Sequence, residues 1–167
     1  MSLEPRPIAA SRCTLSRLMT MLDANLHGNI HGGVIMKLVD DAAGVVAARH
    51  SGGRAVTAAM DEMVFLVPVH IGDLVHAHAQ VNWAGRTSME IGVRVEAERW
   101  DEVGEPLHTS TAYLVYVGLD EDGKPRNVPP VLVDDSDERG SRRFREAEIR
   151  RTHRLARRQA INASREA

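Results

Sequence analysis

The sequence predicts an α+β fold in which an antiparallel sheet packs on a single long helix. Three observations carry this prediction. An Ala- and Gly-rich segment from Gly32 to His50 repeats its apolar residues at a helical period, four later segments read as strands, and short turn signals join those four in series. That order suits one helix early and an antiparallel sheet after it.

In chain order, the first ten residues read as loose. Cys13 to Met21 forms a short strand leading into a loop from Leu22 to His31. The helix starts near Gly32 or Gly33 and runs to about His50. At about 100° of rotation per residue, Val34, Ile35, Leu38, Val39, Ala42, Val45 and Val46 make one broad apolar stripe. Ser51-Gly52-Gly53 ends the helix, and a strand follows from Arg54, with Val56, Ala58, Met60, Val64 and Leu66 on one parity and Thr57, Asp61 and Phe65 on the other. Pro68 and the turn Ile71-Gly72-Asp73 close it. From Val75 to Trp83 the alternation is cleaner: Val75, Ala77, Ala79, Val81 and Trp83 face one way, and His76, His78, Gln80 and Asn82 the other, as in a sheet with one wet face. After Gly85-Arg86-Thr87-Ser88, Met89, Ile91, Val93, Val95 and Ala97 alternate with charged residues. The last strand, Leu107 to Gly118, is apolar on both faces at Tyr113 to Val117, which places it centrally or under cover on both sides. Beyond Pro129-Pro130 an arginine-dense stretch carries a weak apolar stripe (Phe144, Ala147, Leu155, Ala156) and predicts a surface helix. The division expected is a folded domain over residues 11–131 and a polar, Arg-rich tail over 132–167.

A net charge of -2 gives no global hint of nucleic acid, and 43% hydrophobic with 26% charged residues is ordinary for a soluble globular chain. Cys13 is the only cysteine, which excludes an intrachain disulfide framework and cysteine-based zinc sites and fits a reducing compartment. No apolar run approaches the roughly 18 residues needed to span a bilayer, and MSLEPRPIAASR lacks the apolar region of a signal peptide. A cytoplasmic protein without membrane attachment is expected.

The segment from Asn25 to Gly44, NLHGNIHGGVIMKLVDDAAG, carries the strongest chemical signal. Asp is a weak helix former, and Asp40 and Asp41 lie about two turns in, beyond the stretch where the helix dipole favours a carboxylate. They fall on opposite flanks of the apolar stripe, so at most one is drawn into a site; Asp40 sits beside Met36, Gly44 and Ala47, whose modest side chains leave room for a ligand. Backbone N–H groups at Gly32 and Gly33 stand where a helix N-terminus can hold an oxyanion. His27 with His31, and His76 with His78, have spacings that suggest a metal, but no convergent carboxylate or cysteine pattern accompanies them, so solvated or locally bonded histidines are expected and no metal site.

The segments DANLHGNIHGGVIMKLVDDAAGVVAARH, VTAAMDEMVFLVPVHIGDLV, GRTSMEIGVRVEAE and the Tyr113 to Val117 strand followed by DEDGKPRNVP together resemble the hotdog-fold acyl-CoA thioesterases, in particular the cytosolic (brain-type) acyl-CoA hydrolases and the bacterial short-chain enzymes. The resemblance implies a sheet wrapped around the long helix, with a C-terminal surface helix added here. It implies active sites at the interface of a homodimer, commonly assembled as a trimer of dimers, and acyl-CoA as substrate, with no cofactor beyond the coenzyme A of substrate and product. On it, Asp40 is the general base or direct nucleophile, Asn25 positions water or substrate, Gly32 and Gly33 form the oxyanion site, and Gly85, Arg86, Thr87 and Ser88 contact coenzyme A. Asp40 of one subunit would face Asn25 of the other. Acyl-chain preference would depend on residues such as Met60, Met63 and Phe65. Two alternatives differ in class. Asp23-Ala24-Asn25-Leu26-His27 is faintly similar to the Asp/His element of hotdog enoyl-CoA hydratases, although it lacks the proline and one residue of spacing; a non-catalytic acyl-CoA sensor would use the Arg-rich tail for nucleic acid or a partner.

Overall fold

A computed structural model describes residues 3–134 and 136–166. Helix α1, Gly32–Ser51, lies across a five-stranded antiparallel sheet of β2 (Cys13–Leu18), β3 (Ala55–Phe65), β4 (Asp73–Ala84), β5 (Ser88–Arg99) and β6 (Leu107–Gly118), in the order β2-β4-β5-β6-β3. A parallel pair, β1 (Arg6–Pro7) with β7 (Val131–Leu132), and the C-terminal helix α2 (Glu138–Glu166) complete it. Among the described residues no helix is long and apolar enough to cross a membrane.

The helix begins and ends where its sequence dictates. His31 is the N-cap, and Gly52 closes the C-terminus in the left-handed region at φ 73°. Arg6 donates to the carbonyls of Arg49 and His50 at 2.8 and 2.9 Å, and Arg126 to that of Ser51 at 3.0 Å, so cations meet the negative end of the dipole. The buried face, Ile35, Leu38, Val39, Ala42, Ala43, Val46 and Ala47, is shifted from the predicted stripe toward Ala43 and Ala47, where alanines let the sheet approach closely, and it leaves Val34 and Val45 only half-buried. It packs on Val75, Ala77, Val81, Ile91, Val93, Val95 and Leu114. Residues 3–10, expected to be loose, are held in place: Ile8 is buried, and β1 is held by β7.

Two expectations about the sheet need correction. Register shifts in β3 between Thr57 and Ala59 and between Met60 and Glu62 break its alternation, so Met60 and Met63 both reach the core while Val56 and Val64 are exposed. The polar face of β4 is wet only at one end. Gln80 and Asn82 are buried, as is Glu90 of β5, because α2 covers that part of the sheet. Few apolar residues secure α2. Arg150 meets Glu90 at 2.7 Å and lies 3.6 Å above the Tyr113 ring, Arg154 pairs with Asp61 at 2.5 Å, and Arg151 stands 4.9 Å from the Trp83 ring. The strand Tyr113 to Val117 is accordingly central and covered on both faces.

His50, at the C-terminal end of α1, gives the fold a pH dependence. Its Nε2 bonds the Pro129 carbonyl at 3.0 Å, which makes that nitrogen the donor, and Nδ1 is buried without a partner among the described residues. Burial pushes the imidazole below its ordinary value. The unfolded chain then binds one more proton below about pH 6.5, and stability falls on acidification by up to about 1.4 kcal/mol per pH unit. Urea midpoints measured between pH 7.5 and 5 are expected to show this slope, shallower in His50→Gln; equal slopes would remove His50 as its source.

Candidate active site

Asp40 comes out of the helix half-buried, facing the start of β3 and the end of β6. The Thr57 hydroxyl donates to its Oδ1 at 2.7 Å, and the Tyr116 hydroxyl donates to the same oxygen at 2.8 Å and to the Asp40 carbonyl at 2.9 Å. Thr57 and Tyr116 are cross-strand partners, so the β3–β6 register places both donors together. Burial, reinforced by Asp40, holds the Tyr116 phenol above its ordinary range, which keeps it a proton donor at neutral pH. Oδ2 of Asp40 has no hydrogen-bond partner among the described residues, so the carboxylate is fixed at one oxygen and open at the other. Asp41 points away and pairs with Lys37 at 2.7 Å on the exposed face.

The second group of predicted residues lies elsewhere. Asn25 folds its loop into an Asx turn, its Oδ1 accepting from the N–H groups of His27 at 2.8 Å and Asn29 at 3.3 Å. Those two donors require the oxygen on that side, which turns the amide NH₂ outward. Asn25, Gly32, Ile35, Phe65 and Leu66 line an open cavity of about 370 Å³. Of Met60, Met63 and Phe65, only Phe65 lines it; both methionines pack on the core. Eight residues of helix separate Gly32 from Asp40, or about 12 Å. One chain therefore does not bring Asn25 and Asp40 together.

The glycine pair is not equivalent. The Gly33 N–H donates to His31 Nδ1 at 3.0 Å, so the expectation that both glycines offer oxyanion donors is corrected: His31 occupies one as the helix cap, while the Gly32 N–H has no partner among the described residues. The turn Gly85 to Ser88 joins β4 to β5 at the Asp40 end of the sheet, where Ser88 pairs with Val117. Its carbonyls are tied down, Arg86 O to Val128 N at 2.9 Å and Thr87 O to Gly118 N at 3.0 Å. The Arg86 side chain is exposed and lacks a carboxylate partner among the described residues, and a Cβ at Gly85 would collide with the Trp83 ring.

The histidine pairs bind locally. His76 bridges Ser16 at 2.7 Å and Glu98 at 3.1 Å, and His78 bridges Thr14 at 2.9 Å and Glu96 at 3.1 Å. Asp23, the acid of the hydratase alternative, is buried with both oxygens engaged: Arg17 holds Oδ1 at 2.5 Å, and Thr20 donates to Oδ2 through both its N–H and its hydroxyl at 2.9 Å. The Thr20 N–H leads in holding this carboxyl below its usual range. A capped, ion-paired Asp23 is a poor proton donor to an enoyl substrate.

Comparison with known proteins follows the same pattern. The thioesterase superfamily model matches residues 27–103. The cytosolic acyl coenzyme A thioester hydrolase of Mus musculus is 36% identical over 157 residues, 93% of this chain and 41% of that protein, so the chain spans about two fifths of this relative's length. An acyl-CoA hydrolase from Staphylococcus aureus, solved with butyryl coenzyme A, coenzyme A and coenzyme A disulfide, superposes with a TM-score of 0.87 at 30% identity, covering 98% of this chain and 96% of that one. That enzyme has also been solved with alanine replacing an asparagine, an aspartate and a threonine, which stand 15 and 17 positions apart in its sequence. An apo-hexameric acyl-CoA thioesterase gives a TM-score of 0.87 at 33% identity, covering 93% and 97% of the two chains. The chain belongs to the thioesterase superfamily, among the hotdog-fold acyl-CoA thioester hydrolases.

Proposed function

We propose that this protein hydrolyses acyl-CoA thioesters to a free carboxylic acid and coenzyme A, with Asp40 as general base. The observation that carries this is the half-fixed carboxylate: Thr57 and Tyr116 hold Oδ1, and Oδ2 is left to take a proton from water. Asn25, Asp40 and Thr57 are also spaced by 15 and 17 residues, the spacing of the three positions substituted in the staphylococcal enzyme. As Oδ2 removes the proton, the water oxygen attacks the thioester carbonyl. The Gly32 N–H, at the positive end of α1, holds the oxyanion. Collapse of the tetrahedral intermediate expels coenzyme A as a thiolate, which takes up the proton held by Asp40 and so restores the carboxylate. Water, thioester and these residues balance the reaction, and no cofactor enters it.

The site is completed by a second subunit. β3 is an edge strand with Val56, Val64 and Phe65 exposed along it and Leu66 just past its end, an apolar edge that calls for a partner. Antiparallel pairing of two β3 strands about a two-fold axis near Asp61 would set Phe65, Gly32 and Asn25 of one subunit beside Thr57 and Asp40 of the other. Each dimer then holds two equivalent sites, and the hexameric state of the apo thioesterase supports a trimer of such dimers. Arg86 and the hydroxyls of Thr87 and Ser88, at the Asp40 end, meet the coenzyme A phosphates.

The test is release of free coenzyme A from acyl-CoA esters of two to eighteen carbons. Turnover of some part of the series is expected, and binding without turnover of any member would replace this reading with the sensor. Tyr116→Phe is expected to lower kcat about tenfold with KM nearly unchanged, because Asp40 keeps Thr57 but loses its second anchor; an unchanged kcat would limit Tyr116 to packing.

A further inference from the structure

On the face of the sheet turned away from α1, the N-terminal part of α2 stands off from β2, β4 and β5 and leaves a cavity of about 380 Å³. Its charged lining is four guanidiniums, Arg12, Arg94, Arg139 and Arg143, against two carboxylates, Glu96 and Asp137, with His78 beside them. The carboxylates are already engaged. Glu96 takes Arg94 at 2.5 Å and His78 at 3.1 Å, while Asp137 caps α2 by accepting from the Gly140 N–H at 2.9 Å and lies 3.8 Å from Arg12. Arg139 and Arg143 have no carboxylate partner among the described residues. A smaller adjoining cavity of about 160 Å³ shares Arg94, Arg139 and Arg143, and its own acid, Glu146, is taken by Arg142 at 3.6 Å.

Arg139 is exposed, but Arg143 is half-buried, and a guanidinium in that position costs free energy unless an anion compensates it. Burial first, and then the crowding of Arg139, Arg12 and Arg142, hold Arg143 below its ordinary value. Gln80, buried at 7% exposure, lines the same cavity, and its amide makes only a 3.5 Å contact with Asn82. Planar guanidinium forks beside a neutral amide donor match the oxygens of a phosphoryl group, and a half-open concave cavity suits a small molecule rather than a flat peptide surface.

We propose that this cavity binds a phosphate-bearing anion of the diphosphate class, whether carried by a nucleotide or by coenzyme A, at a site separated by the sheet from Asp40. The site does not depend on the hydrolytic reading.

Calorimetric titration of the intact protein with sodium pyrophosphate, ADP and coenzyme A tests this, using wild type, Arg139→Ala/Arg143→Ala, Arg139→Lys/Arg143→Lys and Arg86→Ala. Neither Arg139 nor Arg143 pairs with a carboxylate among the described residues, so the double variants are expected to keep the wild-type Tm. Pyrophosphate is expected to bind wild type and Arg86→Ala alike, to weaken at least about tenfold in the alanine pair with partial recovery in the lysine pair, and to weaken with salt. ADP binding more tightly than pyrophosphate at the same arginines would identify a nucleotide as the source. Coenzyme A binding there beyond one equivalent per active site would identify coenzyme A. No pyrophosphate binding at millimolar concentration, or equal binding by wild type and the alanine pair, would overturn the proposal.

Discussion

Asp40→Asn is expected to lower kcat for acyl-CoA hydrolysis by about 10² to 10⁴-fold, the usual contribution of a positioned general base. The substitution is nearly isosteric, and the asparagine oxygen can still accept from Thr57 and Tyr116, which now hold Asp40 at 2.7 and 2.8 Å. Fold and assembly should therefore survive while the proton acceptor is lost, and KM should move little. Asp41→Asn is the internal control: among the described residues its carboxylate meets only Lys37, on the exposed face, a surface pair worth well under about 1 kcal/mol. Coenzyme A release read with a thiol reagent, after both variants are confirmed in the wild-type oligomeric state, separates them. A dead Asp41→Asn beside an active Asp40→Asn would reverse the assignment.

The largest stability effect is expected at the far side of the sheet. Arg150→Met leaves Glu90, 2% exposed, with only Asn82 at 3.2 Å to offset its charge, and removes the cation from the face of Tyr113. Breaking a buried pair from one side typically costs about 3 to 5 kcal/mol, which corresponds to a fall in Tm of about 6 to 20 °C for a chain of this size. Glu90→Leu combined with Arg150→Met should recover most of the loss, because no buried charge is then left unpaired. Thermal unfolding of the two variants decides it. Equal Tm values for Arg150→Met and wild type would mean that α2 is held by its other contacts.

The contrast between α1 and α2 explains how much of the fold was legible. α1 announces itself by periodicity and by its Gly52 stop, and β4 and β5 by alternation, since burial against one helix filters the residue types on each face. α2 docks through Arg150, Arg151 and Arg154, so its binding face looks like a solvated charge run and no hydropathy pattern separates the two. The same docking buries Gln80 and Asn82, which read as wet. β1 and β7 are two residues each, too short for any period to register.

The site divides along similar lines. Asp40 stood out as a carboxylate placed against helix propensity, and the Gly32–Gly33 pair as a helix start. Thr57 and Tyr116 did not, because a threonine and a tyrosine are ordinary strand residues, and only the β3–β6 register sets them opposite each other and onto Asp40. Thr57 lies on the parity opposite Val56, a weak signal of a different facing. His31 carried a local one, an acceptor side chain immediately before a helix, and it is this cap that takes Gly33 out of the oxyanion pair.

The composite site is tested most directly by mixing Asp40→Asn and Asn25→Ala subunits, refolded or coexpressed together. If Asp40 of one subunit works with Asn25 of the other, each mixed dimer carries one doubly altered site and one native site, and a statistical mixture recovers about a quarter of wild-type turnover. Activity in the mixture that merely averages the two separate variants would contradict the account and place both residues in the site of a single subunit.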